Sequence, residues 1–150
     1  MSSRSRHHPR PFAPGDPRGI IRGMNQKTGE PPAGVYRRYL DSGVLGFQRC
    51  AGCDTAVFYP RVVCPVCGGA DLTWETSSGR GIVYATTAVF RRDADPYNVV
   101  LVDLEEGFRI MSRVEGVPAE RVEVGIRVSL RVDREGDEPV PVFVPEEEGL

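Results

Sequence analysis

The spacing of hydrophobic residues changes along the chain, and the changes mark out its elements. From Pro32 to Gly43, Val35, Tyr36, Tyr39 and Leu40 recur at helical spacing, while Arg37, Arg38 and Asp41 fall mostly off that face. This predicts one short helix, with proline at its start and Gly43 as its stop. A helix of about three turns is marginal alone and needs a surface to lean on. After the polar SSGRG at 77–81 the character becomes pure β. IVYATTAVF (82–90) is one β-rich run, and YNVVLVDL (97–104) is almost continuously apolar, as a strand covered on both faces would be. Glu105-Glu106-Gly107 reads as a hairpin turn. FRIMSRV (108–114) then alternates, with Phe108, Ile110 and Val114 inward and Arg109 and Arg113 outward. Pro118 to Gly125 reads as one helical turn. IRVSLRV (126–132) alternates again, with Arg127, Ser129 and Arg131 outward. PVPVFVP (139–145) is expected at an edge, because its prolines cannot donate to a ladder. Five short strands with a helical turn between the third and fourth predict a small, partly open Greek-key barrel of the OB type. The chain is therefore expected to be mainly β.

Between helix and barrel lies CAGCDTAVFYPRVVCPVC (50–67), which holds all four cysteines as two C-x2-C pairs. Each pair can sit on a tight turn that aims two sulfurs at one point. The intervening residues suffice for a short two-stranded excursion that brings the turns face to face. Four thiolates in a tetrahedron suit a structural zinc ion, and the ligands are Cys50, Cys53, Cys64 and Cys67. Sulfur-only ligation leaves no position for water or substrate, so this metal is expected to hold structure and do no chemistry. The strands LGFQR (45–49) and 71–75 should flank the knuckles, with Phe58 and Tyr59 shielding the metal and packing on Trp74. Competing readings are two disulfides, a thioredoxin-like redox pair, or iron in place of zinc. Iron would make the module a rubredoxin-type electron carrier, since CPVCGG looks like half of such a site.

Composition narrows the chemistry. At 150 residues, 40% hydrophobic and with a formal net charge of −2, the chain has room for one compact domain or two small modules. No apolar run approaches the ~20 residues of a membrane span. With cysteines of metal-ligand type and no apparent targeting segment, the expected location is the cytoplasm. The only histidines, His7 and His8, and the only lysine, Lys27, fall in the Arg/Pro/Gly-rich stretch 1–33. Residues 34–150 therefore offer no histidine triad, Cys–His pair or Schiff-base lysine. Carboxylates and tyrosines remain for acid–base work. Stretch 1–33 reads as a disordered arm of net charge +4, leaving −6 on the rest. It is either a solvated extension or a docking tail for an acidic partner or nucleic acid, and Met24 offers an alternative start. The expected plan is the arm 1–33, helix and ribbon 34–76, barrel 77–145, and an acidic tail 146–150.

At this point the chain resembles a known family, the acyl-CoA-associated zinc-ribbon/OB-fold proteins long catalogued as a domain of unknown function. The resemblance covers roughly residues 34–145. It is carried by LGFQRCAGC, YPRVVCPVCGGADLTW, SGRGIVY, PYNVVLVDLEEGFRIMSRVEG and VEVGIRVSLRV. It implies an accessory subunit, not itself an enzyme, that works beside thiolase-like enzymes, hydratases or aldolases acting on acyl-CoA thioesters. It also implies a contribution to a CoA-binding surface or to substrate passage in some members. It carries over the four cysteines as ligands and no catalytic residue. Guanidinium groups match phosphate oxygens, and Arg61 and Arg80 are the arginines singled out for CoA, Arg80 because two glycines flank it. Tyr36 and Tyr39 are candidate anchors for the partner, against the plainer reading that they pack in their own domain. Nucleic-acid binding is the rival class. The outward arginines and the basic arm favour it, while the −6 balance and the inward Phe108 oppose it.

Overall fold

The computed structural model describes residues 30–146. The expected disordered arm, for residues 1–29, and the tail beyond Glu146 lie outside the described residues. Helix α1 spans Pro32–Asp41, and Pro31 and Pro32 open it. Past its end Gly43 takes φ 87°, and the Val44 amide turns back to the Tyr39 carbonyl at 3.1 Å. That left-handed residue closes a helix terminus at little cost only when it is glycine. Val35, Tyr39 and Leu40 are buried, and Tyr36 is half-buried, as the spacing predicts.

Strand β1 (Gly46–Cys50) is central to a three-stranded sheet. It pairs antiparallel with β2 (Ala56–Val57) on one side and β3 (Leu72–Thr76) on the other. The second sheet comprises β4 (Arg80–Val89), β5 (Tyr97–Leu104), β6 (Arg109–Ser112), β7 (Arg127–Glu135) and β8 (Glu138–Pro145). Its order is β6-β5-β4-β7-β8, with a 3-10 turn at Ala119–Arg121 between β6 and β7. The ends meet through a parallel bridge between Val114 and Phe143. The Glu115 amide donates to the Phe143 carbonyl at 2.8 Å, and the Phe143 amide to the Arg113 carbonyl at 3.0 Å. This is a five-stranded barrel nearly closed on itself, as expected. The proline-rich β8 stands last in the ladder order, at the seam. Asn98, absent from the sequence reading, clamps that seam. Its buried amide gives one hydrogen bond to the Val114 carbonyl (3.0 Å) and takes one from the Val114 N–H (2.9 Å).

Two expectations need correction. β5 is not covered on both faces: Asn98, Val100, Val102 and Leu104 are buried, while Val99, Leu101 and Asp103 are half-exposed. A barrel has one inner face, so an all-apolar run must turn half its side chains outward. Phe58 does not pack on Trp74 either. Trp74 stacks on Tyr39, with ring centroids 5.4 Å apart, whereas Phe58 lies against Phe108 (4.9 Å) and Tyr36 (5.6 Å).

Phe58 therefore belongs to an aromatic seam that joins the two sheets. Phe47 of β1 meets Phe108 at 4.8 Å, and Phe108 meets Phe58. Leu40, Leu45 and Phe47 lie in one continuous core with Val83, Val102, Ile110 and Phe143 of the barrel. Two ion pairs, Arg37–Glu138 (3.0 Å) and Arg134–Asp41 (3.1 Å), tie α1 to the β7–β8 hairpin from outside. Among the described residues no helix is long and apolar enough to cross a membrane.

Candidate metal centre and surrounding surfaces

The four cysteines are brought together by two turns built to one pattern. Cys50 ends β1, and the Asp54 amide donates back to its carbonyl (2.7 Å) while its own amide donates to the Thr55 carbonyl (3.0 Å). Fourteen residues on, the Gly68 amide donates to the Cys64 carbonyl (2.9 Å) and the Cys64 amide to the Gly69 carbonyl (2.8 Å). In each turn the residue four after the first cysteine has left-handed φ: 66° at Asp54 and 79° at Gly68. In each, the amide two residues on points at the first sulfur, from Gly52 to Cys50 Sγ and from Val66 to Cys64 Sγ, both at 3.3 Å. Such N–H···S bonds stabilise thiolate charge. Thr55 makes a further hydrogen bond to Cys53 Sγ (3.0 Å), which holds the Cys53 thiol down to about 7.

The geometry fits a metal. The sulfurs lie within 4.8 Å of one another, with Cys50–Cys67 at 3.5 Å and Cys53–Cys64 at 3.7 Å. Four sulfurs at ~2.3 Å around a tetrahedral ion stand about 3.8 Å apart. Cys50 and Cys64 are buried, and Cys53 and Cys67 face outward. The side-chain amide of Gln48, fully buried, fixes the segment between the turns. Its Nε2 donates to the Arg61 carbonyl (2.9 Å), and its Oε1 accepts from the Arg61 amide (2.7 Å). A lone glutamine amid strand residues gave no such signal in the sequence.

The other expected site residues are scattered. Tyr39 is 1% exposed, packed on Trp74 and over Gly46, so its ring is used inside the fold. Tyr36 lines a cleft with Tyr59, Tyr97 and Met111 at the junction of helix, ribbon and barrel. Burial, then the nearby Tyr59, raises its phenol well above the ordinary range. Arg61 is exposed on the segment between the knuckles, beside Val62 and Val63. Arg80 opens β4 and meets Glu146 at 3.2 Å and Glu105 at 3.8 Å. Other outward arginines are also ion-paired: Arg109 with Asp103, Arg113 with Glu115 and Glu135, and Arg131 with Asp133 and Glu115. These pairs favour a solvated, internally neutralised exterior over a phosphate-binding face.

Comparison with known proteins follows the same division. Residues 37–73 match the family model described as ChsH2, rubredoxin-like zinc ribbon domain, and residues 74–133 that described as ChsH2, C-terminal OB-fold domain. A DUF35 domain-containing scaffold protein of Methanocaldococcus jannaschii is 33% identical over 73% of this chain and 81% of its own length. The chain belongs to the DUF35 family. A solved structure titled Ltp2-ChsH2(DUF35) aldolase superimposes with a TM-score of 0.67 and 30% identity, covering 75% of this chain and 92% of that one. A probable enoyl-CoA hydratase alpha subunit of Thermomonospora curvata is 35% identical over 69% of this chain. This chain spans only about a third (35%) of that relative's length. The benzoylsuccinyl-CoA thiolase subunit BbsA of Thauera aromatica is 29% identical, over 76% of this chain and 78% of its own.

Proposed function

We propose that this chain is a zinc-stabilised, non-catalytic accessory subunit of an enzyme complex that processes acyl-CoA thioesters. The observation that carries the reading is the match of ribbon and barrel together to the DUF35 chain of an aldolase. The names of the thiolase and hydratase relatives point the same way. The local chemistry agrees. The metal site is closed by four sulfurs, and residues 34–150 supply neither histidine nor lysine. Zinc is the ion we assign, because an all-thiolate tetrahedron with a structural role is its usual setting.

The chain would act by lending surface. Tyr36 at the junctional cleft is the partner anchor we retain, and Tyr39 serves as its internal support. Arg61 and Arg80 are the two arginines proposed for CoA phosphates. Arg80 would first have to exchange Glu105 and Glu146 for phosphate.

The test is purification of the tagged full-length chain from its host, with mass spectrometry and metal analysis. Recovery in fixed ratio with a thiolase-like, hydratase or aldolase subunit, and one zinc per chain, is the expected result. Turnover of an acyl-CoA by the chain alone, or a red iron-loaded protein, refutes it.

A further inference from the structure

β4 is longer than the sheet that covers it. Along one side it pairs with β5 from Gly81 to Val89. Along the other it pairs with β7 only from Arg80 to Ile82. The Val83 amide still donates to the Ile126 carbonyl (3.0 Å), and the Val83 carbonyl accepts from the Gly125 amide (2.8 Å). Beyond Val83 no described strand lies on that side. A register shift between Val83 and Ala85 marks the point where β7 departs. From Tyr84 to Val89 the strand therefore has one paired edge and, among the described residues, one open edge, with Phe90 just past its end. In an antiparallel pair alternate residues turn their N–H and C=O away from the partner. Those groups form a ladder with no second rail.

The open stretch reads YATTAVF. Proteins usually guard such an edge with lysine, proline or an inward charge, and none is present in these seven residues. The bulge at Tyr84 separates the stretch from β7 but does not interrupt it. Its ends carry the exposed rings of Tyr84 (52%) and Phe90 (68%), and Thr87 at its middle is exposed. On the outer face of the barrel Ile82, earlier on β4, is 47% exposed, and Met111, two strands away on β6, is 59% exposed. The guanidinium of Arg109 lies 3.5 Å from the Tyr84 ring centre, with its charge met by Asp103.

We propose that this open edge of β4 and the Phe90 that follows it, residues 84–90, accept an added strand from the acyl-CoA enzyme subunit, which docks by extending the barrel sheet. The inference rests on the functional reading above. What the edge lacks is extended main chain, so its occupant is a peptide strand rather than a small ligand. The stretch holds no charge, so the matching strand is uncharged. A charged strand would lose hydration against Tyr84 and Phe90 without meeting a counter-charge within 84–90, since Arg91 and Arg92 lie beyond that stretch.

Area argues against a second copy of this chain. Seven residues extend about 23 Å, and a strand edge roughly 10 Å high covers about 230 Å² per side. That is far below the ~800 Å² per partner of a stable interface. Two copies paired through this edge could not easily add more. In an antiparallel self-pairing centred on Thr87, the Arg91–Pro96 tip of each copy meets the place where β7 already covers Val83 of the other. A partner that also covers the exposed Ile82 and Tyr84 of β4 has no such limit.

Hydrogen exchange on the full-length chain, alone and in the complex purified as above, tests this. Amides within 84–90 that exchange in the free chain should become protected in the complex by at least tenfold. Thr87→Lys should weaken the complex at least tenfold while leaving the thermal transition of the free chain in place. A complex whose 84–90 amides exchange as in the free chain overturns the inference and leaves the functional reading standing. If the amides that β5 leaves unbonded are already protected in the free full-length chain, its own terminal segment or a second copy holds the edge, and this too overturns it. If no acyl-CoA enzyme copurifies, the functional reading and this inference fall together.

Discussion

Gly46→Ala is a change of one methyl group with a calculable consequence. Gly46 opens β1 opposite Thr76, and the ring of Tyr39 lies flat against its backbone. A Cβ at Gly46 would stand 2.5 Å from Cγ, 2.6 Å from Cδ2 and 2.8 Å from Cδ1 of that ring. Carbon atoms pack at about 3.5–4.0 Å, so one side must move by roughly 1 Å. Neither moves cheaply. The ring is 1% exposed and stacked on Trp74 at an interplanar angle of 22°. β1 is held by five register positions to β3, and its far end carries Cys50. Overpacking of this kind costs about 1–3 kcal/mol, and loosening the stack a further 0.5–1.5 kcal/mol. Replacing glycine in a strand returns roughly 0.5–1 kcal/mol. The expected net loss is about 2 kcal/mol, or roughly 6–12 °C in Tm for a body of this size.

The assay is denaturant unfolding with metal in excess, followed by the emission of Trp74, the chain's single tryptophan. A double-mutant cycle assigns the cause. Tyr39→Ala removes the obstructing Cγ, Cδ1 and Cδ2 together, so Gly46→Ala made in that background should cost close to nothing. The coupling should then be about 2 kcal/mol. If Gly46→Ala costs the same in both backgrounds, within ~0.5 kcal/mol, the Tyr39 contact is not what requires glycine. The account of how α1 is seated on the ribbon then fails.

The remaining predictions concern the metal turns and the buried phenols. Cys64→Ser, or a strong chelator, should release the ion. The loss should lower the unfolding transition of the whole body, which calorimetry reads as one peak moving down rather than a small peak disappearing. Asp54→Gly should leave metal stoichiometry unchanged and stabilise the metal-bound chain by roughly 0.5–1 kcal/mol, because Asp54 holds φ 66° where its counterpart Gly68 pays no side-chain strain. A loss of stability on thermal melting would show that the Asp54 side chain has a further role. Burial, then the charge of Glu75, pushes the Tyr39 phenol from 10.0 up to about 12. A raised folded-state value favours the neutral form, so this contribution is complete below pH 10 and is lost as pH rises from 10 through about 12. Stability measured against pH should fall in that window, and Tyr39→Phe should flatten the fall. An unchanged slope in Tyr39→Phe would refute the assignment.

What the sequence made legible was whatever has a short-range cause. The α1 stripe, the paired knuckles and the alternation of 108–114 and 126–132 each follow from spacing within ten residues. Proline confined β8 to the end of the ladder order for the same reason. What escaped depends on contacts across long separations. Phe58 stands six residues before Cys64, which suggested a shield for the metal, yet its ring partners are Tyr36 and Phe108. Gln48 and Asn98 look like ordinary polar positions in strands. Only the tertiary path brings the Arg61 and Val114 main chains to them. Arg80 drew notice for its flanking glycines, but Gly81 is there for β5. A Cβ at Gly81 would lie 2.5 Å from the Asp103 carbonyl oxygen.

The shared core decides how ribbon and barrel are to be regarded. Modules joined only by a linker would transmit little to each other, and the metal would then stabilise the ribbon alone. Here Phe47 sits one strand position from Gln48, which fixes the knuckle segment, and three from Cys50 of the four-cysteine cluster. The same ring packs on Phe108, which follows the β5–β6 turn. Displacing β1 by the ångström that metal loss or a bulky residue at Gly46 demands therefore opens contacts inside the barrel. The cost appears in both sheets because close-packed interiors transmit such shifts. A body rigidified in this way presents the junctional cleft and the open β4 edge at a fixed separation, which the docking role proposed above requires.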